Sequence, residues 1–74
     1  GPVMIAIVET HDPVRLSFLK MILEEGGLHP FVFDAGSPYR GALPCRLMVP
    51  ESEVELARLL VEEVERQGPD EIPE

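Results

Sequence analysis

The side chains able to do chemistry are few: one thiol, Cys45, two imidazoles, His11 and His29, and, of the five guanidinium groups, Arg40 and Arg46, which stand near Ser37 and Tyr39 in the sequence. A nucleophile needs a base within hydrogen-bond reach, and no spacing here pairs Cys45 or Ser37 with either histidine. Cys45 stands between Pro44 and an apolar run, where a lone thiol packs as a small apolar residue; an enzyme using Cys45 is the least favoured reading. His29, before Pro30, is read as a plain surface or edge residue. For metals, His11, His29, Cys45, Met4, Met21 and Met48 include soft ligands, but none of the stronger ones stand as C-x-x-C or H-x-x-x-H pairs. The methionines fall at core positions, and no metal or cofactor is expected.

Anion binding is the sharper possibility. Two helices are expected to begin just after strands, each with unpaired N–H groups and a positive dipole end, and Arg40 and Arg46 could close on a phosphate or carboxylate there. Asp12, Glu51 and Glu53 already occupy those helix starts and would repel it. An Asp34–Arg46 pair across a hairpin is the plainer reading. Gly36 and Gly41 are isolated and form no phosphate-binding loop. The candidate contact residues for a ligand or partner are therefore Asp34, Tyr39, Arg40, Arg46 and His11, none of them catalytic.

These residues hang on a small frame. With 74 residues the chain makes one domain, near the size at which a single core needs a staple or a partner. One cysteine excludes an internal disulfide, which favours a reducing, cytoplasmic setting. The formal charge of −8 disfavours nucleic acid and anionic membranes as partners. The longest apolar stretch, residues 3–8, is too short to span a bilayer. Most of the acid lies in residues 51–74, and residues 14–46 carry Arg15, Lys20, Arg40 and Arg46.

Gly1-Pro2 reads as a protease-cleavage remnant, leaving a domain over residues 3–67 and an acidic flexible tail over 68–74. Residues 3–9 predict a buried strand with Val3, Ile5 and Ile7 on one face and Met4, Ala6 and Val8 on the other. Asp12-Pro13 opens a helix over 13–25 that stops at Gly26-Gly27. Its apolar residues Val14, Phe18, Leu19, Met21, Ile22 and Leu23 cover more than half the circumference, and the polar stripe Ser17, Lys20 and Glu24 is narrow. The surplus predicts a second surface against another subunit or a partner. Strands are expected at 29–34 and 46–49, joined by a loop too long for a tight hairpin. Ser52 and Glu55 have capping-box spacing for a last helix with Val54, Ala57, Leu60, Val61 and Val64 on its apolar face. The acidic face, with Glu55, Glu62, Glu63 and Glu65, reads first as solvated surface and second as a docking face for a basic partner.

Strand, helix, strand, strand, helix with right-handed connections gives an α+β, ferredoxin-like βαββα unit: a three-stranded antiparallel sheet of order 1-3-2 with two helices on one face. The last strand usual for that unit is lacking, so the first strand becomes an apolar edge, expected to be covered by another copy of the chain.

The residues THDPV at 10–14, GGL at 26–28, FVFD at 31–34, PCRLMV at 44–49 and the AR-LL helix at 57–60 together resemble a small bacterial domain-of-unknown-function family described as "putative prokaryotic signal transducing protein". That family carries an asparagine or similar residue before the DPV-type helix start, where this chain has His11. The resemblance implies a PII/GlnB-like (ferredoxin-like) fold and a regulatory role, and it supplies no catalytic residues. The expected function is a small non-enzymatic regulatory or binding module. It would act as a homo-oligomer and contact a protein partner or small effector through residues 31–49. The alternative is a PII-like sensor that binds an anionic metabolite or nucleotide between subunits.

Overall fold

The computed structural model of the protein describes residues 2–33 and 44–67. Gly1, residues 34–43 with Asp34, Ser37, Tyr39 and Arg40, and residues 68–74 lie outside the described residues.

The element order is β1 (Met4–Thr10), α1 (Pro13–Glu25), β2 (Phe31–Phe33), β3 (Cys45–Pro50), a 3-10 turn (Glu51–Glu53) and α2 (Val54–Gln67). The strands form one antiparallel sheet in the order β1-β3-β2 with β3 central, the ferredoxin-like layout expected. Both helices pack on the sheet and on each other. Between them lies a core of Val8, Leu16, Leu19, Leu23, Leu47, Val49 and Ala57. Leu19, Leu23, Leu47 and Val49 are fully buried, each contributing roughly 1.5–3 kcal/mol of apolar burial.

Strand β1 departs from simple alternation. Ala6 pairs with Met48 and Val8 with Leu47, so Ile7 is an extra residue bulged out of the ladder. Opposed residues of an antiparallel pair share a face, and Leu47 and Val49 are the buried positions of β3. Their partners Val8 and Ile5 therefore face the helices together, whereas the alternation read from the sequence put them on opposite faces. The bulge has a clear physical reason. Strict alternation from Ile5 would aim Glu9 into the core, and the extra residue turns it to the opposite face, against Arg46. An unpaired buried carboxylate would cost several kcal/mol.

Helix α1 begins as its sequence requires: the Asp12 carboxylate accepts from the N–H of Val14 (2.9 Å) and of Arg15 (3.3 Å), and Pro13 takes the first helical position. Its end is a Schellman motif. Gly27, at φ +87°, lets the N–H of Leu28 reach the Leu23 carbonyl and that of Gly27 the Glu24 carbonyl, both at 3.0 Å. The entry to α2 differs from expectation. Ser52 lies within the 3-10 turn, whose cap position, Pro50, makes no side-chain hydrogen bond. The Glu51 N–H instead donates to the Val3 carbonyl at 2.8 Å, fastening the turn to the start of β1. The apolar face read for α2 is the one packed against the core.

Candidate functional site

The register sets which candidate residues share a neighbourhood. Thr10 lies opposite Cys45 and Phe33 opposite Arg46, so one end of the sheet carries the β1–α1 turn with His11, the end of β2 and the start of β3. Residues 34–43 join the chain at that same end. The turn is held by the Asp12 N–H donating to Thr10 Oγ1 at 3.0 Å, with His11 exposed at its tip. Arg46 and His11 are thus brought to one end, and α1 starts there too. The α2 start lies at the other end, because Met4 faces Pro50 in the register. The two helix starts therefore do not converge on Arg46.

Arg46 is already engaged. Its Nε lies 3.0 Å from Glu9 Oε2, with both side chains about half exposed. The pair expected with Asp34 falls on a residue outside the described ones; the partner at hand is a cross-strand residue on β1. Arg46 sits in register between Glu9 and Phe33 on the side of the sheet away from the helices. That open face continues with Ala6, Met48 and Phe31 in one cross-strand row. Phe31 is 54% and Phe33 45% exposed, large values for aromatic side chains in a small domain.

A second apolar surface lies on the helix layer. Leu16, Leu19 and Leu23 bury one side of α1, while Val14 is 75% exposed and Phe18 and Met21 are each 45% exposed. The surplus apolar arc of α1 is therefore solvent-facing, and on α2 Leu56 and Leu59 are exposed as well. Between the helices runs a groove of about 660 Å³ with Val14, Phe18, Leu19, Ile22 and Val64 along it and Asp12, Arg15, Glu65 and Gln67 at its polar margin. Arg15 Nε donates to Glu65 Oε2 at 2.7 Å and ties α1 to α2. That hydrogen bond is the main reason the guanidinium holds its proton more tightly than usual.

One polar contact had no signal in the sequence. The His29 N–H donates to Glu53 Oε1 at 2.8 Å and its Nδ1 lies 2.7 Å from Glu53 Oε2. His29 is thus more than a plain surface residue: it joins the approach to β2 to the turn before α2. The ring contact first, and the backbone N–H second, hold the Glu53 carboxyl below the usual carboxylate range. Only the fold brings together two residues 24 positions apart.

Cys45 is half-buried and packs against the core. Among the described residues, no three His, Cys, Asp or Glu side chains are grouped to hold a metal ion. No helix there is long and apolar enough to cross a membrane.

Compared with known proteins, residues 4–65 match the model of one family, whose description is "putative prokaryotic signal transducing protein". No curated protein and no solved structure matches the chain.

Proposed function

This chain belongs to that family, described as "putative prokaryotic signal transducing protein", and from this premise we propose that it is a non-enzymatic, cytoplasmic binding module that works as a homo-oligomer. The observation that carries the reading is the sheet. Among the described residues β1 is hydrogen-bonded to a strand on one side only. It is seven residues long and apolar up to Glu9, an edge that natural proteins seldom leave bare. A second copy pairing along it would satisfy the free backbone groups and extend the open face that carries Phe31 and Phe33. The end of the sheet bearing His11, Arg46 and the loop 34–43 is then the contact region for a protein partner or effector.

The test is sedimentation equilibrium over a wide concentration range, combined with amide exchange. The expected result is a stable oligomer in which the amides of β1 are protected along both edges. A monomer at high concentration with rapidly exchanging β1 amides would overturn the reading.

The PII-like alternative, an anion held between subunits, draws on Arg40 and Arg46. The engagement of Arg46 by Glu9 makes it the second choice. A thermal-shift screen of nucleotides and organic acids separates the two: a stabilising hit lost in both Arg40→Ala and Arg46→Ala would establish the sensor.

A further inference from the structure

The two apolar surfaces of the molecule differ in charge, and that difference distinguishes their partners. On the sheet, each of β1 and β3 carries one charged residue, Glu9 and Arg46, and these are paired with each other. A second copy meets no net repulsion there. The helix layer is acidic. Helices α1 and α2 carry six carboxylates, Glu24, Glu25, Glu55, Glu62, Glu63 and Glu65, against the four cations Arg15, Lys20, Arg58 and Arg66. At the groove itself Glu65 is paired with Arg15 and Asp12 caps α1, so the negative charge is that of the helix layer as a whole. Two copies of a chain of charge −8 would repel across such a surface, whereas a cationic partner would be attracted.

The chemistry of the groove also limits the partner's backbone. Its walls are helices, whose N–H and C=O groups are bonded within themselves along the groove, and the lining is Val14, Phe18, Leu19, Ile22 and Val64. An extended segment laid there would find no strand edge to pair with, and its own backbone groups would be desolvated without partners. A helix brings its backbone already satisfied and can seat a ridge of side chains between two others. The α1 wall from Val14 to Ile22 is roughly 12 Å long at 1.5 Å per residue, about two turns of an incoming helix.

We infer that the groove between α1 and α2 is a docking site for a basic amphipathic helix of a partner protein, its apolar stripe seated on Val14, Phe18 and Ile22 and its cations drawn by the net negative charge of the helix layer. This rests on the reading of the chain as a binding module and supplies the partner's class. The site belongs to the helix layer, whereas the strand edge invoked for self-association belongs to the sheet.

The experiment is a titration of the full chain with an acetylated, amidated 14-residue helical peptide that has leucines at i, i+3, i+4 and i+7 spacing and lysines elsewhere. One control replaces the lysines by glutamates. Another keeps the composition and scatters the leucines. The expected result is saturable binding, at least tenfold weaker for either control peptide and at least tenfold weaker for Phe18→Ser, with Phe31→Ser on the open sheet face unchanged. Val14 is 75% exposed, so Val14→Ser repeats the test if Phe18→Ser disturbs the fold by circular dichroism. Equal binding of the scattered peptide would reduce the effect to charge alone and overturn the inference. So would a full chain that binds nothing at millimolar peptide, or a Phe18→Ser chain that binds undiminished. Loss of self-association in Phe18→Ser would assign the groove to a second copy and overturn it too. Failure of the oligomer reading shows instead in sedimentation and β1 exchange, which this titration does not touch.

Discussion

Glu53 shows how a single side chain can join parts of the chain that are remote in sequence. Its carboxylate accepts from the backbone and faces the ring of His29, and both contacts favour the ionised form. The pKa is depressed in the folded state. The linked stability is therefore complete above the ordinary value of 4.5 and is lost as pH falls through the lower folded value. Glu53→Gln is expected to lower stability in urea unfolding at pH 7, with the gap between variant and parent narrowing as the pH falls below 4.5. An undiminished gap at pH 3 would show that packing, not the charge, carries the effect. The Arg15–Glu65 pair is a different case, since each side chain is more than a third exposed. A double-mutant cycle on Arg15→Ala and Glu65→Ala is expected to give a coupling below about 1 kcal/mol, as for other solvent-screened pairs.

At the scale of elements, the α1 terminus and the β1 bulge carry the sharpest consequences. Gly27 holds φ at +87°, and a Cβ there would meet no neighbouring atom, so the cost of Gly27→Ala is conformational alone. It is expected at about 1 kcal/mol by thermal or chemical unfolding. At Gly26 the backbone is ordinary, at φ −79°. An added Cβ would come within 2.9 Å of Leu60 Cδ1, the movable tip of a side chain. Gly26→Ala should therefore be the milder change. Fully buried Leu23 sits one turn earlier, and Leu23→Ala is expected to cost about 3 kcal/mol through lost transfer energy and the cavity left behind. The bulge makes a further prediction. Deleting Ile7 restores simple alternation with Ile5 and Val8 still inward and Glu9 still beside Arg46, but it removes a side chain packed against the core, so the shortened chain should fold with reduced stability. Replacing Val8 by Asp should unfold it, because the charge enters the core. Circular dichroism of the two variants compares them directly.

On the scale of the whole molecule, two layers enclose a small core and leave apolar side chains on both outer surfaces, Phe31 and Phe33 on the sheet, Val14, Phe18, Met21, Leu56 and Leu59 on the helices. A chain of this size gains little from its core alone, and surfaces of this kind mark sites of association. Raising protein concentration should therefore raise the melting temperature, as mass action requires of an oligomer whose folded form is stabilised by assembly. A concentration-independent value would speak for a self-sufficient monomer. Much of this was legible in advance. Turn chemistry at Asp12-Pro13 and Gly26-Gly27, the β-branched run of β1 and the helical spacing of Val54, Ala57, Leu60, Val61 and Val64 are local signals, and from them followed the elements, their order and a 1-3-2 sheet. The apolar excess of α1 was legible too, because periodicity counts faces without knowing their neighbours. Tertiary structure alone decided the rest: the bulge at Ile7, the contact of Arg46 with Glu9, the clasp of His29 by Glu53, the separation of the two helix starts and the groove between the helices. Each depends on register or on contact between residues distant along the chain, and such pairings are set by packing, which no local pattern encodes.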